Sequence, residues 1–543
     1  METEYSIQHR RNALARDKAL AGAGDMRSTS AVPVTYQSRG RVLLVGGEQA
    51  LLYAPRLLPE LKAEVLVIDD SDEPSVPTIA LAGRDMQIRG YLGRFEVELG
   101  EAGRRDHEIL QCDLLLDLAP QPLLHAELPP VGYYRPDTSP PALDALAVEL
   151  KQMVGTFEKP RYFEYDAERC AHMRNGVVGC TRCIDACPAG AIKSIAERVE
   201  VDSWLCQGGG ACASTCPSGA ISYTMPLAES LQERLRRMLK AYHDEGGRDA
   251  GVIFMSEDGV PQQAADMPNL LPVVVEELAS VGPELLLGAL AYGARSVQLL
   301  DGGNMPPSSR RTLEEQLQWI SAALQSQGYA SDVIRLARPD DLAQADAACM
   351  PDGFSPAWFS PVGDKRQRLF GALDHLHAQA PRPVPMVTLE AGAPLGTAGI
   401  DESRCTLCMA CVGACPGHAL QSAGDTPGVN FLEANCLQCG MCTRTCPEDA
   451  VWISPRLLFD REARQRARPL YQEPPFECIE CGKPFATRRM IETVLVRLQG
   501  NPMFATQRAR NRLMMCEDCR VIDIAKDDQA QLFEPAKGED YAG

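Results

Sequence analysis

The sequence predicts a multidomain chain of α/β and α+β character, with two small cysteine-rich modules set among α/β domains and a four-cysteine unit near its C-terminal end. Three observations carry this. Cysteine occurs 21 times in 543 residues, and all but Cys112 and Cys349 fall into three groups, Cys170–Cys216, Cys405–Cys446 and Cys478–Cys519. Ahead of each of the first two groups, short apolar runs alternate with helical patterns in the β–α–β manner. The last group is two C-x2-C pairs separated by 34 residues. At about 150 residues per domain the length suggests three or four domains.

Residues 1–40 are polar and read as a flexible tail or a docking helix. An α/β domain follows over 41–150. Arg41–Val45 (RVLLV) is its first strand, Gly46-Gly47 the turn, and Glu64–Ile68 the second strand, ending in Asp69-Asp70. Cys112–Asp117 is a further strand, and proline-rich 136–141 closes the domain. The first cysteine module occupies 160–225. A second α/β domain spans 245–345, with strands at 251–255, 271–275 and 296–300 and helices at 283–292 and 309–325. Residues 346–395, rich in Pro and Gly, read as linker. The second module covers 396–455, the four-cysteine unit 474–525 and a polar tail 526–543.

The chain carries 73 Asp and Glu against 54 Lys and Arg, a net charge of −19. That balance argues against coating nucleic acid or an anionic membrane. It suits a protein that meets basic partner surfaces. Residues 1–30 show no apolar core of a secretory signal. Arg10-Arg11 is followed by Arg16, Asp17 and Lys18 where a twin-arginine leader has an apolar run. The apolar window Leu270–Ala294 holds Glu276, Glu277 and Glu284, too charged for a membrane span. The reading is a cytoplasmic protein whose cysteines bind metal and do not form disulfides.

Residues 405–416 read C-T-L-C-M-A-C-V-G-A-C-P, and 436–447 read C-L-Q-C-G-M-C-T-R-T-C-P. Both fit C-x2-C-x2-C-x3-C-P. Three cysteines on one tight loop hold three corners of an Fe4S4 cube, and the fourth ligates the other cube. The expected sets are Cys405, Cys408, Cys411 and Cys446 on one cluster, with Cys436, Cys439, Cys442 and Cys415 on the other. Over Gly399–Ile453 the sequence resembles bacterial two-cluster ferredoxins.

The first module is an altered version. Residues 180–188 read C-T-R-C-I-D-A-C-P, but Val177 stands where the motif wants its first cysteine. Cys170 is the substitute, if the loop between it and Cys180 bulges outward. The second half reads C-Q-G-G-G-A-C-A-S-T-C-P, with Gly209 at the middle ligand position. Cys170, Cys180, Cys183 and Cys216 are then one complete [4Fe–4S] set. Cys187, Cys206 and Cys212 are a three-ligand set for a [3Fe–4S] or [4Fe–4S] cluster, empty, or completed by Cys112 or Cys349. Seven-iron ferredoxins, which this half resembles, also lack that middle cysteine.

Cys478, Cys481, Cys516 and Cys519 suit a tetrahedral Zn2+ with iron as the rival, because both accept an S4 shell. Cys481-Gly482-Lys483-Pro484-Phe485 resembles a zinc-ribbon knuckle. Gly46-Gly47 with Asp69 offers a faint dinucleotide signal for NAD or FAD, without a G-x-G-x-x-G. Leu271–Gly302 resembles the delta-subunit fold of methyl-viologen-reducing hydrogenases, but Ser280 and Val281 stand where that family has cluster cysteines.

The fold expected is therefore α/β and α+β multidomain, with two ferredoxin-like 2[4Fe–4S] modules inserted among α/β domains. Three [4Fe–4S] clusters and a fourth, altered site are expected. The whole layout resembles the iron–sulfur proteins that accompany bacterial formate dehydrogenases. The resemblance implies an electron-transfer protein or oxidoreductase subunit with no catalytic residue of its own. Its partners would be a dehydrogenase and another carrier, with no nucleic acid. Two alternatives stand beside it. One is a catalytic subunit of a heterodisulfide-reductase-like or NAD(P)/flavin-linked oxidoreductase. The other is a maturation or scaffold protein for a metalloenzyme.

Overall fold

The computed structural model describes residues 4–24, 26, 32–69, 77–81, 83–100, 107–256, 266–344, 350–351, 353–424 and 426–526. It divides into two compact units, one from Met1–Met173 with Thr181–Leu389, the other from Arg174–Cys180 with Glu390–Gly543.

In the first unit, Arg41–Gly46 is buried at five successive positions, as a strand covered on both faces requires. It centres a five-stranded parallel sheet. The strands run Thr78–Ala80, Lys62–Val67, Arg41–Gly46, Leu114–Asp117 and Tyr133–Tyr134, a 3-2-1-4-5 order along the chain. The order is that of a doubly wound sheet, but helices cover only one face here. Leu44, Val65 and Leu116 pack on one face against Leu146 and Leu150. Those two leucines belong to the helix Pro140–Gln152, where the sequence suggested only a domain end. Prolines at 140 and 141 fit its first turn, which needs no intrahelical N–H. On the other face Leu43, Val45 and Leu115 meet Phe95, Val97 and Leu99.

The second parallel sheet has four strands, in the order Leu270–Val274, Gly251–Met255, Ser296–Leu300 and Ile334–Ala337. All nine residues of the helix Pro283–Ala291 are buried. The region 346–395, expected as linker, supplies one of the helix's covers. Lys365–Ala378 is a helix closed by a capping box of Asp364 and Gln367, and it buries Leu369, Phe370, Ala372, Leu373 and Leu376. The expected N-terminal tail contains the helix Glu4–Gly22. It packs along the helix Ala228–Asp244. Asn12, Ala15, Ala19 and Ala23 form its buried stripe, and Gln8 Nε2 donates to the Gly246 carbonyl at 3.3 Å. The remainder of the expected C-terminal tail, from residue 527, lies outside the described residues.

The two cysteine modules share one plan. In the first, Phe163–Tyr165 pairs antiparallel with Ile221–Tyr223, and the hairpin Ile192–Ile195/Arg198–Val201 lies between the halves. In the second, Gly396–Ile400 pairs with Val451–Leu458, and the hairpin is Leu420–Ser422/Gly428–Phe431. The four-cysteine unit has a short hairpin, Pro475–Glu477 with Pro484–Thr487, followed by the helices Arg488–Arg497, Gln507–Arg512 and Glu517–Ala525.

Candidate iron–sulfur and metal centres

The ligand loops begin with backbone that ordinary residues avoid. Leu407 and Met409 have φ of +54° and +61°, and Gln438 and Gly440 have +51° and +73°. These left-handed residues flank Cys408 and Cys439 and curl the chain so that its amides face inward. Leu407 N donates to Cys405 Sγ at 3.4 Å. Each loop then enters a five-residue helix, Ala410–Ala414 or Met441–Thr445. The fourth cysteine follows, and three residues later comes another left-handed residue, His418 (φ +52°) or Asp449 (φ +46°). That turn brings Ala419 N to 3.2 Å from Cys415 Sγ and Ala450 N to 3.3 Å from Cys446 Sγ.

The complete module packs Cys405, Cys411 and Cys436 in one core with Cys415, Cys442 and Cys446 at its edge. A cradle of about 370 Å³ is lined by Cys415, Cys436, Cys439 and Cys442, the second set expected from the spacing. Cys405, Cys408 and Cys446 are the neighbours whose charge is felt at Cys411. Burial pushes the Cys411 thiol up to about 12 and Cys439 to about 11. Left to themselves these thiols stay protonated, and a cationic cluster is what holds them as thiolates. The residues present therefore fit two Fe4S4 cubes. Cys408 is the exposed ligand, whereas Cys405 and Cys411 are buried.

The altered module keeps the same devices. Gly208 and Gly210 take the left-handed positions, with φ of +82° and +71°. After the fourth cysteines stand Gly190 (φ +58°) and Gly219 (φ +69°), and Ala191 N donates to Cys187 Sγ at 3.3 Å. At Cys216 the neighbour is the Ser218 hydroxyl, at 3.6 Å. Cys170, Cys183, Cys187, Cys206, Cys212 and Cys216 pack in one core. Cys180 is half-buried at the end of Arg174–Cys180, the segment that belongs to the second unit. There Arg444 donates to the Val178 carbonyl. The loop after Cys170 thus does leave its own module.

Cys187, Cys206 and Cys212 line a pocket of about 480 Å³ with Gly208, Gly209 and Gly210. Burial pushes Cys212 well up, so this pocket too suits a cluster that keeps its thiolates charged. Leu128, Pro188, Tyr162 and Tyr223 complete its wall. Cys112, one candidate for the missing ligand, is buried instead among Leu43, Val45 and Phe95 of the first α/β core. Cys349 lies outside the described residues. Ser280, where the hydrogenase-like family has cysteine, packs against the α-carbon of Gly210 tightly enough to exclude any side chain there. On the other side Gln207 Nε2 donates to Pro129 O at 2.6 Å.

Cys478, Cys481, Cys516 and Cys519 place their sulfurs within 4.8 Å of one another. Cys481 Sγ and Cys516 Sγ are 3.7 Å apart. A tetrahedral ion with metal–sulfur bonds of about 2.3 Å needs sulfurs ~3.8 Å apart. Burial opposes the Cys478 thiolate, but N–H groups of Cys516, Cys481 and Glu480 outweigh it and bring the thiol down to about 6. The donor set fits one closed S4 ion.

The dinucleotide expectation meets an acidic turn. The helix after Gly47 has six residues and opens with Glu48, and the Asp69 carboxylate lies directly over the Gly47 α-carbon. Two carboxylates at that turn do not fit a pyrophosphate.

Residues 177–220 and 404–450 match the 4Fe-4S dicluster domain family. The chain carries two 4Fe–4S dicluster domains. Ferredoxin-type protein NapF of Escherichia coli (strain K12) is 44% identical over 61 residues, 10% of this chain and 36% of that protein. NADH-quinone oxidoreductase subunit I 2 of Streptomyces coelicolor is 35% identical over 82 residues, 12% of this chain and 42% of that protein. A component of the ion-translocating oxidoreductase complex of Methanosarcina acetivorans is 44% identical over 46 residues, 8% and 17% of the two chains. The chain thus spans between 17% and 42% of the curated relatives it matches. The likeness supports iron–sulfur electron transfer. Among the described residues no helix is long and apolar enough to cross a membrane.

Several contributors were not read from the sequence. The amide donors at Ala191, Ala419 and Ala450 had a visible signal. All four fourth-ligand cysteines begin the pattern C-P-x-x-A, at 187, 216, 415 and 446. Tyr162 and Leu128 had none, because they reach the altered module from outside its motif.

Proposed function

We propose that this protein is a one-electron relay between a dehydrogenase, such as a formate dehydrogenase, and another redox carrier. The observation that carries the reading is the pair of interlocked ligand sets in the complete module, each with its loop amides turned to sulfur. Cys405, Cys408, Cys411 and Cys446 would hold one [4Fe–4S] cluster, and Cys415, Cys436, Cys439 and Cys442 the other. Cys170, Cys180, Cys183 and Cys216 would hold a third. Cys187, Cys206 and Cys212 would hold a three-thiolate centre facing Leu128 and Gly209. Bound there, the clusters supply reversible one-electron chemistry. The chain's own residues exclude water, donate amides to sulfur and fix the distances between sites. The exposed Cys408 corner is where an external partner gains the shortest path. Two of the relatives are subunits of oxidoreductases, which supports a subunit role. The S4 site at Cys478, Cys481, Cys516 and Cys519 is a structural zinc site in this reading.

Anaerobic purification with iron, sulfide and zinc analysis and EPR tests it. Three cubes and a three-iron centre give about fifteen irons per chain. An iron content below about eight, the content of two cubes, sinks the proposal.

A further inference from the structure

We propose that Lys159 is a positioning residue that raises the reduction potential of the three-cysteine centre. This rests on the reading that Cys187, Cys206 and Cys212 hold iron.

Lys159 ends the strand Gly155–Lys159, which pairs antiparallel with Val34–Ser38. Its ammonium leaves that strand pair and enters the altered module. Nζ donates to the carbonyl of Cys206 at 2.6 Å and to that of Trp204 at 2.8 Å, and it stands 5.0 Å from the centre of the Tyr36 ring. The receiving segment is held in place from the same side. The Tyr36 hydroxyl donates to the Trp204 carbonyl at 2.6 Å, and Trp204 Nε1 donates back to Thr35 O at 3.1 Å. Tyr91 stacks on the indole with ring centres 5.5 Å apart. The charge is thus fixed against the backbone of a ligand cysteine.

It is not neutralised there. Among the described residues Lys159 forms no ion pair. The nearest carboxylate on the segment, Asp202, accepts from Trp204 N and Leu205 N at 2.9 and 3.1 Å. In the complete module the corresponding cysteine, Cys436, receives a neutral amide, Gln438 Nε2, at 3.2 Å from Sγ. The nearby Arg468 donates to Thr397 and Ala398, not to a ligand segment. A cation fixed in a partly desolvated site favours whichever redox state carries more negative charge, and that is the reduced one. The three-cysteine centre then becomes an electron acceptor within its unit. A purely mechanical role, tying Cys206 to the strand pair, needs the hydrogen bonds but not the charge.

The test is an EPR-monitored redox titration of the full chain, comparing wild type with Lys159→Gln, Lys159→Met and Lys159→Arg. At the wild-type midpoint, Lys159→Gln and Lys159→Met should raise the oxidised-to-reduced ratio of this centre about tenfold, ~59 mV for one electron. Lys159→Arg should stay within about twofold, and the complete module's signals should not move. An unmoved midpoint in both neutral variants overturns the proposal, as does an equal shift in Lys159→Arg. Loss of the centre from both neutral variants overturns it in favour of an assembly role. A wild-type chain without any signal from this centre refutes the iron reading itself, and the proposal with it.

Discussion

At position 209 the backbone has the shape of a ligand loop without its ligand. Gly208 and Gly210 curl the chain as the residues flanking Cys408 and Cys439 do. Gly209 itself has an ordinary φ, and a Cβ there would come no nearer than 3.4 Å to Pro188 Cγ. Gly209→Cys is therefore expected to fold and to supply the missing thiolate. Iron content should rise by about one atom per chain, and a three-iron EPR signal should disappear. An unchanged iron count would show that the pocket holds its centre some other way. Asp113 makes a different single-residue case. It is 1% exposed and accepts from Arg39 N, Arg41 N and the Arg41 guanidinium. Burial raises its carboxyl, but the Arg41 side chain and the two amides outweigh burial and hold it below the ordinary range. A lowered folded-state pKa stabilises above the unfolded value, about 3.9, and this stabilisation is lost as pH falls through and below it. Asp113→Asn should cost about 2 kcal/mol near neutral pH and less in acid, read by urea unfolding at pH 7 and pH 3.5. A cost that does not change with pH would refute the charged-pair account.

The helix Pro283–Ala291 is buried on every side, between the second sheet and the helices Ala228–Asp244 and Lys365–Ala378. Leu286, 0% exposed, has no route to solvent through which the site could collapse. Leu286→Ala should destabilise the first unit by about 3 kcal/mol, measurable by chemical denaturation, and a loss under about 1 kcal/mol would contradict this packing. This helix was legible as an apolar run, Leu285–Ala291, opened by Pro283 and Glu284. So were the strands at 41–46, 251–255 and 296–300, whose mostly apolar residues, Val42–Val45 and Val252–Met255 above all, demand cover on two faces. The helix Lys365–Ala378 was not legible. It lies in a stretch punctuated by Pro and Gly, and its mean character is polar because only one face is buried. Its capping box, Asp364 with Gln367, was the readable signal. Glu4–Gly22 was legible only as one of two alternatives, a tail or a docking helix, for a related reason: its buried stripe is mostly alanine, so a polar-looking segment docks through small residues.

Across the molecule, cysteine spacing told which cysteines would gather, because a cube fixes the spacing of its ligands, and Cys415, Cys436, Cys439 and Cys442 do line one cradle. It did not tell what surrounds each set, because those neighbours come from distant strands and loops. The four-cysteine unit shows the consequence. Its helix Arg488–Arg497 is capped by Thr487, which is 2% exposed and donates from Oγ1 to Thr406 O at 3.4 Å. Arg489 donates to the Glu402 carbonyl, and Arg497 meets both Glu448 oxygens, at 2.6 and 2.7 Å. Glu402 and Thr406 bracket Cys405, and Glu448 follows Cys446 by two residues. The four-cysteine unit therefore holds, through one helix, the ends of the chain around the cysteine set that includes the exposed Cys408. Removing the ion proposed for it should loosen these bonds and leave the Cys436 set untouched. Cys516→Ser is expected to abolish zinc binding and to speed chelator-driven iron loss from the Cys405 set. The speeding should be about fivefold, the equivalent of one hydrogen bond at ~1 kcal/mol. The Cys436 set should release iron at the wild-type rate, with both sets followed by EPR during chelation. Equal acceleration at both sets would mean that the module had lost its fold as a whole. No acceleration at either would mean that the four-cysteine unit stands apart from the electron path.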